Sequence, residues 1–167
     1  VITDFVQMAM IVVIGIIILP LTWSVAGGVS AISAGFGGLI DIKNIFDPGI
    51  AFSLGIVTSI GLIAGAISDQ QYWQRAFAIK RNHLVRSFIF GALLFGIVPI
   101  ALSTLGFLAA NPALVVVLPE GIDVSMIGVQ IVASLLPVWA VFLFVIMLLA
   151  GLSSTLDSGL SAASSLW

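Results

Sequence analysis

Val141-Phe142-Leu143-Phe144-Val145, a run without a polar side chain, passes shortly afterwards into Gly151-Leu152-Ser153-Ser154-Thr155-Leu156-Asp157-Ser158. As far as Leu156 the stretch belongs to an uncharged interval, Val124 to Leu156, that exceeds the roughly 20 residues an α-helix needs to cross a bilayer at about 1.5 Å per residue. Working outward, three more intervals of this kind appear: Phe5 to Ile40, Pro48 to Ser68 and Ser87 to Pro119. The first and third exceed one span. The Gly-rich stretch Ala26 to Gly38 and the Asn111-Pro112 pair mark where their helices should end. The expected spans are near 4–29, 49–69, 84–110 and 126–160.

Composition agrees. Hydrophobic residues make up 61% of the 167-residue chain and charged residues 7%, with a mean hydropathy of +1.32; a soluble domain carries about 25% charged residues. In lipid, only helices and closed barrels satisfy every backbone N–H and C=O. A barrel would show strands of about ten residues alternating in polarity, whereas these apolar runs are long and unbroken. The expected class is therefore an all-α, polytopic transmembrane helix bundle in a lipid bilayer. The chain has no cysteine, which excludes disulfides, thiolate metal sites and thiol nucleophiles. No basic tract suggests nucleic acid as a partner. Val1 and Trp167 read as cuts inside a longer protein, whose remaining transmembrane helices would complete the bundle.

Orientation follows from the basic residues, because cytoplasmic loops are enriched in Lys and Arg. The connection from Asp69 to Arg86 holds Arg75, Lys80, Arg81 and Arg86, four of the five basic residues, so loop 70–86 is expected on the cytoplasmic side of a cell membrane. Loops 30–48 and 111–125 carry Asp41, Asp47, Glu120 and Asp123 against Lys43 alone, which suits the outer side. Pro20, Pro99 and Pro137 fall inside expected spans, where each removes a helix hydrogen bond and favours a kink.

Three groups of residues carry candidate chemistry. In the last span Ser154 and Ser158 share a helical face, with Asp157 beside them and Thr155 next to Ser154. A hard cation takes several oxygen ligands from hydroxyls, carboxylates and backbone carbonyls, and a sodium ion suits this cluster. Serines and threonines also pack helix interfaces and bond back to the i−4 carbonyl, so hydroxyls alone leave both readings open. Asp157 adds weight, since a carboxylate inside a span costs about 2.5–3.5 kcal/mol on insertion scales. Asp4, at the start of the first span, lies at similar depth; it serves as a helix cap or as the second carboxylate of a cation path. In the third group, Asp69, Gln71 and Trp73 could hold a small polar solute through amide and carboxylate hydrogen bonds beside aromatic surface, while interface anchoring accounts equally for Trp73. His83, the only histidine, sits in the basic connection. No nucleophile elbow or metal-ligand spacing marks an enzyme.

Thr3-Asp4-Phe5-Val6-Gln7, Asp69-Gln70-Gln71-Tyr72-Trp73-Gln74-Arg75-Ala76-Phe77-Ala78-Ile79-Lys80 and Ser153-Ser154-Thr155-Leu156-Asp157-Ser158 resemble, in order and spacing, the TD-x-x-Q helix start, the QR-x-x-A-x-K inner loop and the cation-site helix of the sodium:solute symporter family. That resemblance implies a four-helix fragment of the five-plus-five inverted-repeat transporter fold: the last helix of the first repeat and the first three of the second. It implies sodium at the hydroxyls of Ser154 and Thr155 and the carbonyl of Gly151, with further ligands from a core helix this chain lacks. A second cation site would involve Asp4 and Ser158, and an added Asp157 carboxylate is suggested by its place beside them. Asp69 would approach the solute, and Gln71 stands where sugar-transporting members carry a gating tyrosine. Asp69 to Trp73 and Gly91-Ala92-Leu93-Leu94-Phe95-Gly96-Ile97-Val98-Pro99 look most like the urea-transporting branch, which makes urea or another small amide the first expected solute. A membrane solute sensor built on a symporter-like bundle is the alternative, and a passive channel a further one.

Overall fold

The computed structural model describes residues 2–37, 47–114 and 123–167. Asp41, Lys43 and Glu120, which bear on the expected sidedness, lie outside the described residues. Among the described residues, four helices are long and apolar enough to cross a membrane. Those are α1 (Ile2–Ala26), α3 (Pro48–Ser68), the segment Arg81–Ala109 that holds α5 (Leu84–Ala109), and α7 (Val138–Ser165). The shortest has 21 residues, about 31 Å of helix, matching a hydrocarbon core of about 30 Å. Three shorter helices join or cap them: α2 (Val29–Ala34), α4 (Gln70–Ala78) and α6 (Ile127–Leu135).

The first span stops earlier than the expected residue 29. Gly27 and Gly28 have φ of 106° and 77°, a region costly for any residue with a Cβ. The Gly28 N–H donates back to the Trp23 carbonyl at 2.7 Å, closing the helix end as a Schellman turn does. The fourth span differs more. The helix expected over 126–160 is broken at Leu136, whose extended backbone (φ −108°, ψ 154°) precedes Pro137 (φ −67°, ψ 157°). Proline lacks the N–H that would continue α6 and pushes the preceding residue out of the α region. The Pro137 carbonyl then accepts from the Ala140 and Val141 amides, so α7 begins anew and runs on to Ser165. By contrast α1 and α5 run through Pro20 and Pro99 without a break. Within the expected loop 70–86 the chain forms α4 and a 3₁₀ turn at Arg81–His83.

The core lies between α1, α5, α6 and α7, where Ile18, Leu105, Leu108, Ile131, Val132 and Ala140 are almost wholly buried. Its centre is an antiparallel seam of α1 on α7. A Cβ built on Gly15 would touch Met147 Sδ, and one on Gly151 would touch Ile11 Cδ1, both at 3.9 Å. These two contacts, one helical turn apart, fix the register. Beyond the glycines at Gly27 and Gly28, α2 packs on α5 so closely that a Cβ on Gly35 would lie 1.7 Å from the Phe107 carbonyl oxygen. Around that contact, Phe36 meets Phe107 edge to face, the Asn111 amide donates to the Ala31 carbonyl at 3.0 Å, and Trp23 Nε1 donates to Thr104 Oγ1 at 2.8 Å. In α3, which widens into a π-helical segment over Ala51–Val57, residues 51–65 are all exposed. Its apolar surface can be solvated by lipid at no hydrophobic cost.

Candidate functional site

On α7 the residues facing the seam recur in steps of three and four: Ala140, Phe144, Met147, Gly151, Ser154, Ser158, Ser161 and Ser165. The first three are buried and apolar; after Gly151 every one is a serine. α1 mirrors this in the opposite direction, from Thr22 through Ile18, Ile14 and Ile11 to Gln7 and Asp4. Extending the register set by Gly15 and Gly151 one turn puts Gln7 level with Ser154 and Thr155. A further turn brings Asp4 level with Ser158. The same seam is thus an ordinary apolar contact over half its length and a polar one over the rest.

At that polar end lies a cavity of about 320 Å³, lined by Asp4 of α1, by Gln71, Gln74 and Arg75 of α4, and by Asp157, Ser158 and Ser161 of α7. α4 presents these residues because Asp69 caps it. The Asp69 Oδ1 accepts the Gln71 amide at 2.9 Å, satisfying one of the orphan N–H groups of the helix start. On the other side of the turn, Trp73 Nε1 donates to the Ile67 carbonyl at 2.7 Å, holding the end of α3. So anchored, α4 docks on α7: Arg75 Nη2 donates to Ser158 Oγ at 2.9 Å, and Gln74 Nε2 donates to Ser165 Oγ and, at 3.4 Å, to the Ser161 carbonyl.

The residues singled out from sequence therefore separate into groups. Asp4, Asp157 and Ser158 line one cavity, joined by Gln71. Asp69 and Trp73 are absent from its lining and instead make the bonds that shape the α3–α4 turn. Gly151, Ser154 and Thr155 are not among the lining residues either. Ser154 is half-buried on the seam face, while Thr155 lies about 100° round the helix, exposed, its hydroxyl donating to the Gly151 carbonyl at 3.0 Å. This is the i−4 back-bond that threonine commonly makes within helices. Both oxygens keep lone pairs, since a donating hydroxyl and a carbonyl can still accept or ligate.

Four further residues had no site role assigned from sequence, although Gln7, Gln74 and Arg75 stand in the quoted motifs. Gln74, Arg75 and Ser161 complete the cavity, and Gln7 Oε1 is buried with no hydrogen-bond partner among the described residues. The three-residue step from Asp4 to Gln7, continuing the seam pattern of Ile11, Ile14 and Ile18, is the signal that could have found Gln7. Gln74 and Arg75 were visible as the QR pair of the inner-loop motif, but not as residues of this cavity. Among the described residues no group of three or more His, Cys, Asp or Glu could hold a metal ion. Hydroxyls, amides and carbonyls are the remaining donor types, and these suit hard, weakly held cations. Higher up, an apolar cavity of about 380 Å³ opens between α1 and α5 beside Met147, lined by side chains such as Ile16, Leu19 and Ile97; it offers no polar chemistry.

No protein-family model matches this sequence, and neither the curated proteins nor the solved structures provide a match.

Proposed function

We propose that this chain is part of a sodium-coupled symporter of the sodium:solute type, which moves a small polar solute, with urea or another small amide first among candidates. The observation that carries the reading is the α1–α7 seam, whose polar half holds a carboxylate from each helix beside the cavity that α4 covers. An amide oxygen buried without a hydrogen-bond partner among the described residues, as Gln7 Oε1 is at the end of this seam, is costly to keep. A cation that ligates it offsets that cost. In this reading sodium is held by the Gly151 carbonyl, the Ser154 and Thr155 hydroxyls and the Gln7 amide oxygen level with them. Asp4, Asp157 and Ser158 form the second cation position on the route out.

Coupling follows from linkage: if sodium and solute both favour the same arrangement of the seam, each raises the affinity of the other by the same factor. α4 supplies the moving part. Its hydrogen bonds to Ser158, Ser161 and Ser165 close the cavity, and breaking them opens it to the side on which sodium leaves. Five-plus-five transporters work by such rocking of helices about a central site.

Reconstituted protein in sealed vesicles should take up labelled urea, amino acids, sugars or carboxylates against a gradient only when sodium is higher outside. Ser154→Ala combined with Thr155→Ala should remove the sodium dependence. Uptake unaffected by sodium, or absent for every solute class, would take away this reading in favour of a channel or a solute sensor.

A further inference from the structure

α4 has two faces. At about 100° per residue, Gln71, Gln74 and Arg75 fall together and turn to the polar cavity and α7. Tyr72, Trp73 and Phe77 fall on the opposite side, 42%, 47% and 83% exposed. An amphipathic helix whose polar face is already occupied has its apolar face left for another environment. That environment is set by position. α4 starts directly after one membrane-length helix, α3, and is followed by another, so it lies at the membrane–water boundary, where aromatic side chains are favoured and amphipathic helices rest with their apolar face among the acyl chains.

Charge then distinguishes one kind of lipid from another. Directly behind the apolar face come Lys80, Arg81, His83 and Arg86, all exposed. Among the described residues Lys80, Arg81 and Arg86 have no salt bridge or side-chain hydrogen bond, and Arg75, nearer the bundle, is engaged by Ser158. Each Lys or Arg close to an anionic bilayer surface strengthens attachment by about 1 kcal/mol, or about fivefold. We infer that the Tyr72-Trp73-Phe77 face of α4 and the basic stretch Lys80 to Arg86 form a binding surface for anionic phospholipid headgroups. A soluble phosphate would use the cations but leave the apolar face unfilled; a phospholipid uses both. This surface depends only on membrane insertion, not on what the protein transports.

The test is lipid selectivity of the full chain in phosphatidylcholine bilayers, read by electron spin resonance of spin-labelled phosphatidylglycerol and phosphatidylcholine at the protein boundary. Phosphatidylglycerol should associate several-fold more strongly. Arg81→Gln should reduce that preference by up to about fivefold, and raising salt to 1 M, where the screening length shrinks to about 3 Å, should abolish it. Phe77→Gln should weaken retention of phosphatidylglycerol without changing charge. Equal association of the two lipids, a preference that survives both Arg81→Gln and high salt, or displacement by inorganic phosphate at matched ionic strength would each overturn the assignment.

Discussion

Replacing Gln7 with leucine separates a cation ligand from a residue that merely packs. The Gln7 Oε1 atom is buried without a hydrogen-bond partner among the described residues, and leaving an acceptor so placed costs about 1–3 kcal/mol. Leucine has similar volume and no polar atom, so in sodium-free buffer Gln7→Leu should stabilise the protein by that amount. For a chain of this length each kcal/mol moves the midpoint by about 2–4 °C, an increase of several degrees overall. If the proposed site holds sodium, adding it should narrow or reverse that difference. A cation at 100 times its Kd stabilises the wild type by about 2.7 kcal/mol, and the variant, missing one ligand, should gain clearly less. Thermal unfolding followed by tryptophan fluorescence, with sodium against a large organic cation at equal ionic strength, reads both effects. A lower midpoint without sodium would mean that the amide oxygen is satisfied. An unchanged sodium response would mean that it is no ligand. Either result refutes the reasoning for this atom.

Gly35→Ala should lower thermal stability by about 1–3 kcal/mol, toward the upper end because the atom that its Cβ would meet at 1.7 Å belongs to the Phe107 backbone and cannot swing away. Gly37→Ala, where nothing lies within 4 Å, is the matched control, and equal midpoints for the two variants would contradict the close approach. At the other connection, the Ser125 hydroxyl at 2.7 Å and then the Ser125 amide at 2.8 Å hold the Asp123 carboxyl below its ordinary value of 3.8. A depressed folded-state value means that this turn is fully stabilised above 3.8 and weakens as pH falls through the lowered one. Protection of the amides around Ser125 against exchange, taken relative to the intrinsic rate at each pH, should therefore fall in acid in the wild type but not in Asp123→Asn; the same acid profile in both would show that this carboxylate is not responsible.

The membrane-length apolar helices were legible from sequence because they depend on local composition. An interval such as Pro48 to Ser68 has no charge to solvate and must satisfy its own backbone in lipid, so it becomes a helix whatever lies beside it. The change of α7 from Phe144 and Met147 to Ser154 and Ser158 was equally visible, because helical periodicity needs only one segment. Pro137 shows where local reading runs out. Pro20 and Pro99 carry the same chemistry within unbroken helices, and only Pro137 separates two; the proline's local chemistry produces the break but does not by itself select which of the three sites takes it.

The pairing of α1 with α7 belongs to the tertiary structure, because it joins segments at opposite ends of the chain. Spacing could place Ser154 beside Ser158 but could not say that Gln7 lies level with Ser154, that Arg75 reaches Ser158, or that Asp69 and Trp73 serve the α3–α4 turn instead of the cavity. The order of residues along one helix is written in the chain; which face meets which, and in what register, is decided when side chains such as Ile11, Ile14 and Met147 of two helices interlock.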